Sequence, residues 1–267
     1  MFQWKKLLTV GALCVASVMT LAGCGGQQAA TSSSSSSGSG AVQTIKVGSA
    51  IDFAPFEFQD EGQAEYQGFD MDLIRAIGKE MGAEVEISNI GFDGLIPALQ
   101  AKTVDVLISG MTINDERKQN VTFSDPYYES GLTMVVREDE QSIKTFQDLK
   151  GHKVAVQIGT TSAKEVKKIE GVEVKEFNTP ADCFMELKTG GADAVVNDRP
   201  VSEYFITKSG QTGVKELEEK LTSENYGIAV AKDNTELATK INDALKKLKE
   251  NGEYDKIYAK WFGGAKK

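Results

Sequence analysis

From residue 44 onward, short runs rich in β-branched and apolar residues alternate with longer stretches whose apolar positions recur at helical spacing. This alternation is the strongest constraint on the fold, because strands and helices that follow one another repeatedly assemble as βαβ units, giving mostly parallel sheets flanked by helices. Strands are expected at 44–49, 83–88, 104–109, 133–137, 153–157, 172–177, 192–196 and 226–231. Between them, a helix at 70–81 places Leu73, Ile74, Ile77 and Met81 on one face, and another at 93–101 opens on Asp93 as its N-cap. The last two helices, 234–250 and 253–262, are separated by Asn251-Gly252. Their stripes of Leu237, Ile241, Leu245 and Leu248, then Tyr254, Ile257, Tyr258 and Trp261, read as core packing rather than a cofactor box.

A chain of 267 residues suffices for one large domain or two small ones. With 40% hydrophobic and 26% charged residues it is globular in composition, and its net charge of −9 disfavours nucleic acid as a partner, since that partner is recognised through basic surface. No glycine-rich stretch has phosphate-loop or dinucleotide spacing, and no His/Cys cluster suggests a metal, so no cofactor is expected.

The first forty residues are different in kind. Lys5 and Lys6 precede an apolar stretch from Leu7 to Leu21 that is short for a membrane span, which is the pattern of a secretory signal. It ends in Leu21-Ala22-Gly23-Cys24, which resembles a bacterial lipobox. Residues 1–23 are therefore expected to be removed and Cys24 to carry lipid such as palmitate, anchoring the chain to the outer face of the cell membrane. Residues 24–43 read as a tether, including six consecutive serines from Ser32 to Ser37, with a reach on the order of 20 Å. Loss of Lys5 and Lys6 makes the mature chain two charges more negative than the −9 of the whole. Of three cysteines only Cys183 remains unassigned, so no internal disulfide is expected, and its amphipathic surroundings make it a core residue.

In parallel α/β sheets, ligands bind beyond the carboxyl ends of the strands, where helix N-termini point. Three segments fit. Ser109-Gly110-Met111-Thr112 leads into a helix starting near Asn114 and carrying Arg117. Gln157-Ile158-Gly159-Thr160-Thr161 leads into another, with Ser162 and Glu165 at capping-box spacing. Asn197-Asp198-Arg199-Pro200 places a carboxylate between strand and helix. Together they compose a receptor for a zwitterion: backbone amides and a guanidinium for a carboxylate, an aspartate for an ammonium. Taken singly, Asp198 reads more readily as a helix cap, Arg117 as a solvated helix residue and the Gly-Thr turns as ordinary connections.

The motifs Pro55-Phe56-Glu57-Phe58, Gly68-Phe69-Asp70-Met71-Asp72-Leu73, Gly94-Leu95-Ile96-Pro97-Ala98-Leu99, Thr112-Ile113-Asn114-Asp115-Glu116-Arg117, Phe123-Ser124-Asp125-Pro126-Tyr127-Tyr128 and Asn251-Gly252-Glu253-Tyr254 occur in one order along the chain. In this the chain resembles the polar amino-acid branch of the bacterial periplasmic-binding proteins, and most of all its glutamine-binding members. The resemblance implies a two-lobed type II α/β fold with two hinge crossings near 127–131 and 223–227. It assigns 44–129 and 226–263 to lobe 1, 130–225 to lobe 2, and 264–267 to a tail. It further implies a monomer that traps an amino acid between its lobes and delivers it to a membrane ABC permease with its ATPase subunits. Carried over by motif, Arg117 with the Thr112 and Thr161 amides holds the ligand carboxylate. Asp198, the Thr112 hydroxyl and the Gly110 carbonyl receive the ammonium, Phe53 and Phe92 sandwich the side chain, and Thr160 lies in the same turn.

Family members with basic or glutamine ligands commonly have an aspartate where this chain has Ala50, with Asp52 displaced by two residues. With Gln157 and Asn197 this makes a neutral pocket, so glutamine is the expected ligand. A dehydratase on the same fold and a sensory input domain are the alternatives. The single histidine, His152, lies in a turn and offers little for an enzyme's acid–base chemistry.

Overall fold

A computed structural model describes residues 43–208 and 212–263. The proposed signal peptide, Cys24, all but the last residue of the tether, and the 264–267 tail lie outside the described residues. The chain opens with β1 (Gln43–Ser49), α1 (Phe69–Glu80), β2 (Ala83–Asn89), α2 (Leu95–Gln100), β3 (Val106–Leu107), α3 (Asp115–Asn120) and β4 (Val121–Phe123). After β5 (Tyr128–Ser130) come β6 (Leu132–Arg137), β7 (Lys153–Gln157), α4 (Thr161–Val166), β8 (Glu173–Phe177), α5 (Pro180–Lys188), β9 (Ala194–Asp198), α6 (Arg199–Thr207) and β10 (Val214–Glu216). It returns through β11 (Glu224–Tyr226) and β12 (Ala229–Ala231) to α7 (Thr235–Glu250) and α8 (Glu253–Phe262).

Two five-stranded sheets form two lobes, ordered β2-β1-β3-β12-β4 and β10-β6-β9-β7-β8. Each is parallel through its βαβ strands, β2-β1-β3 and β8-β7-β9, and becomes mixed where β12 and β6 join antiparallel, β10 pairing β6 at the edge. The reversed β6 and β12 follow from topology: each is the first strand after a crossing, where the chain enters that sheet from the opposite direction. Both crossings, β5 and β11, pair antiparallel as a separate two-stranded ribbon, with Tyr226 opposite Tyr128. Where one strand is expected at 226–231, Gly227 separates β11 from β12, and the strand expected at 104–109 is only two residues long.

The helices bury what the sequence stripe puts on one face. In α1, Phe69, Leu73, Ile74 and Ile77 are buried against α7, α8 and the sheet, each such side chain contributing roughly 1.5–3 kcal/mol. Acidic Asp70 and Asp72 stand in its first turn and Lys79 in its last, as the helix dipole favours. Its entry is set by Gly68 at φ 130°, where a Cβ would lie 2.0 Å from the Phe56 carbonyl oxygen, so only glycine fits. Phe56 is the hub of an aromatic cluster that roots the ribbon in lobe 1, with its ring centroid 4.9 Å from Tyr128, 5.2 Å from Tyr226 and 5.4 Å from Phe262.

Three local expectations are corrected. The α2 N-cap is Gly94, with Asp93 inside a preceding 3-10 turn and making no capping bond. The cap of α4 is Thr160, whose hydroxyl accepts from the Ala163 amide, so Ser162 and Glu165 do not form the capping box. Asp198 precedes α6 without capping it. Cys183 is buried, and burial pushes its thiol up to about 12. No helix among the described residues is long and apolar enough to cross a membrane.

Candidate functional site: a charged cleft between the lobes

The strand ends of both sheets converge on the ribbon, and the side chains they carry meet across a cleft. From lobe 1, Asn114 caps α3 by accepting from the Arg117 amide, which orients the Arg117 side chain inward. The guanidinium is buried, donating to the Thr112 carbonyl at 2.9 Å and, across the cleft, to the Gly159 carbonyl at 3.2 Å. It lies 5.2 Å over the Phe92 ring. Burial pulls its pKa down from the usual guanidinium value, while the charges of Glu224 and Asp198 work against that. Two carbonyls engage only part of a five-donor group, leaving N–H bonds for a bidentate carboxylate.

Asp198, at the end of β9 in lobe 2, accepts from Tyr226 at 2.5 Å and Ser130 at 3.0 Å, one from each hinge crossing. It is pushed up to about 7 by burial first and by the neighbouring Glu224 charge second, with the two hydroxyls and Arg117 opposing. A carboxylate held in this condition gains from any cation brought beside it.

The remaining expected residues take up defined places. Gly110 adopts φ 51°, where a Cβ would stand 2.7 Å from Phe53 Cε1, so the glycine lets the Phe53 ring close over this turn. The Gly110 amide donates to Asp70 at 2.9 Å. Thr112 is buried, Thr160 donates to the Gln157 carbonyl at 2.6 Å, and Thr161 opens α4. Gln157 donates to the Asn178 carbonyl and hydrogen-bonds Asp52 from the other lobe. Asn197 neighbours Asp198 on β9 and by strand alternation faces the other way; its Nδ2 has no acceptor among the described residues. At the mouth, a cavity of about 330 Å³ is lined by Glu116, Arg117, Gly159, Thr161 and Lys164, with Glu116 and Lys164 paired across it.

Four participants are absent from the expected set. Asp52 turns into the cleft, its Oδ1 without a donor among the described residues and its carboxyl raised to about 6, chiefly by burial. The only sequence signal for it is its displacement from Ala50. Glu224 and Tyr226 share one face of β11, and Ser130 belongs to β5; all three act across the lobes, and no local pattern points to them.

Residues 45–264 match the bacterial extracellular solute-binding proteins, family 3. Over 232 residues the chain is 38% identical to ABC transporter arginine-binding protein 1 of Escherichia coli K12, covering 84% of this chain and 93% of that protein. Two solved structures, of an ancestral arginine-binding protein bound to glutamine and of one bound to arginine, are each 50% identical with a TM-score of 0.80. They cover 83% and 82% of this chain and 98% of their own. With a matching profile over nearly all of the described residues and a two-lobed fold shared at this identity, the chain belongs to family 3 of the bacterial extracellular solute-binding proteins.

Proposed function

We propose that this chain is the amino-acid receptor of an ABC transporter, capturing a free L-amino acid by closing two lobes over it and presenting the closed form to a membrane permease. The observation that carries the reading is the burial in one cleft of Arg117 from lobe 1 and Asp198 from lobe 2. A zwitterion completes both ion pairs only when the lobes meet, so binding and closure are the same event. Its differential affinity for the closed form shifts the population toward that form. Lobe 1 comprises 44–129 and 226–263, lobe 2 comprises 130–225, and lipid on Cys24 tethers the receptor to the membrane.

For the ligand side chain, Asp52 favours a cation, and arginine is the first reading. Asp52, Asp198 and Glu224 against Arg117 leave the cleft with surplus negative charge, which a ligand with two cationic groups and one carboxylate neutralises best. The names of the relatives support arginine as well. Glutamine is the second reading, favoured by the amide of Gln157 facing Asp52 and by the glutamine-bound ancestral structure. A calorimetric screen of the twenty amino acids separates them. Arginine is expected to bind tightest and to lose more than tenfold in Asp52→Asn, while glutamine binding changes little; a wild-type protein that binds none of the twenty overturns the receptor reading.

A further inference from the structure

Among the buried carboxyl groups not assigned to the ligand, one stands in the cleft itself. Glu224, the first residue of β11, stands on the second hinge crossing and belongs to neither sheet. Its Oε2 accepts from Thr112 Oγ1 of lobe 1 at 2.6 Å and from Thr161 Oγ1 of lobe 2 at 3.0 Å, while Oε1 accepts from Thr222 at 3.2 Å. One oxygen therefore joins the two lobes through the two turns that flank Arg117.

Rested on the receptor reading above, we propose that Glu224 is a positioning residue, which by taking the hydroxyl protons of Thr112 and Thr161 fixes both oxygens as acceptors toward the ligand and clasps the lobes in their closed arrangement. The chemistry requires a carboxylate. Being acceptor-only, it forces every hydroxyl that touches it to donate, leaving only lone pairs to face elsewhere. The Thr112 oxygen is thereby committed as an acceptor for an ammonium. A glutamine at 224 presents an N–H pair as well as an oxygen, so either hydroxyl can reverse and turn its own proton toward the ligand cation. The arrangement also explains why a negative group is tolerated beside Asp198: Arg117 lies close enough to feel both charges.

The clasp is separable from ligand identity, because it acts on the lobes directly. Hydrogen exchange on the full-length protein without ligand is compared among wild type, Glu224→Gln, Glu224→Ala and Thr161→Val. Faster exchange is expected together in 109–114 and 158–163 for both Glu224 variants, and in 158–163 for Thr161→Val, with β1 and β7 as protected as in wild type. Unchanged exchange in both segments overturns the clasp even if no amino acid binds. Calorimetry with L-arginine and L-glutamine, each beside the analogue in which hydrogen replaces the α-ammonium, tests the hydroxyl orientation. In Glu224→Gln the intact amino acid that wild type binds is expected to weaken at least tenfold and its des-amino analogue less than threefold. Equal loss for both overturns the orienting role, and a wild type that binds neither amino acid points instead to failure of the receptor reading.

Discussion

Glu57 and Asp70 are two carboxyl groups fully buried beneath the ligand-facing turn, Glu57 Oε2 and Asp70 Oδ1 each without a donor among the described residues, so that one proton held between them would satisfy both. Glu57 accepts from Ser109 at 2.8 Å, and Asp70 accepts from the Gly110 amide and from Tyr127 at 2.7 Å. Burial and the Asp70 charge hold Glu57 well above its ordinary range, while Asp70, less perturbed at about 6, is the partner that ionises first. Because a glutamine amide reproduces both the donor and the acceptor of a protonated glutamate, Glu57→Gln should retain near wild-type stability. Glu57→Ala, leaving Asp70 without its donor, should lose about 2–4 kcal/mol in urea unfolding.

The same groups fix the pH dependence of stability. Asp52 and Asp70 at about 6 and Asp198 at about 7 lie above their unfolded values, so each contributes stability that is complete below about pH 4 and is lost as pH rises through 6 to 7. Scanning calorimetry without ligand should show the melting temperature falling by on the order of 5 °C between pH 5 and pH 8. A rise over that interval contradicts the account.

Binding should show the opposite slope. An ammonium needs Asp198 ionised, and Asp198 sits at about 7, so affinity should climb from pH 5 to pH 8 and level off above. Titrations in buffers of different ionisation enthalpy should register protons released on binding at pH 6 and few at pH 9.

Removing either charged partner exposes the other. Arg117→Ala or Asp198→Ala should cost about 3–5 kcal/mol of binding, since each leaves a desolvated charge unpaired. Near-native affinity in either variant, measured by calorimetry, removes that residue from the site.

Gly110→Ala combines a left-handed backbone with a Cβ 2.7 Å from the Phe53 ring. It should displace Phe53 and weaken binding about tenfold or more, with thermal stability reduced by about 1–3 kcal/mol. A ligand titration together with a melting curve checks both.

What the sequence carried and what it hid divide along chain locality. The α1 stripe, the Asn114 cap and the turns holding Gly110, Arg117, Thr161 and Asp198 are written in neighbouring residues, and the structure brings them to one cleft. The Thr160 cap was masked by a competing Ser162 and Glu165 at the right spacing; which oxygen caps depends on where the Gly159 turn ends. Glu224, Tyr226 and Ser130 act over separations that only the crossing of the ribbon closes, as in the bond from Tyr226 to Asp198, 28 residues apart. Asp52 needed knowledge of the Phe53 to Glu57 loop, which turns the chain after β1 and breaks simple alternation.

The aromatic cluster around Phe56 has a mechanical meaning. Tyr128 and Tyr226, on the two crossing strands, are wedged among Phe56, Tyr258 and Phe262, whereas on the other side the first crossing runs through Gly131 into β6 and the second is entered from the segment after β10. The ribbon is thus packed as part of lobe 1, which makes lobe 2 the part expected to move when the cleft opens. Since Tyr226 and Glu224 project from that ribbon to Asp198 and Thr161, they reach lobe 2 close to the line about which it would turn, where a small displacement at the site corresponds to a large one at the far edge of the lobe.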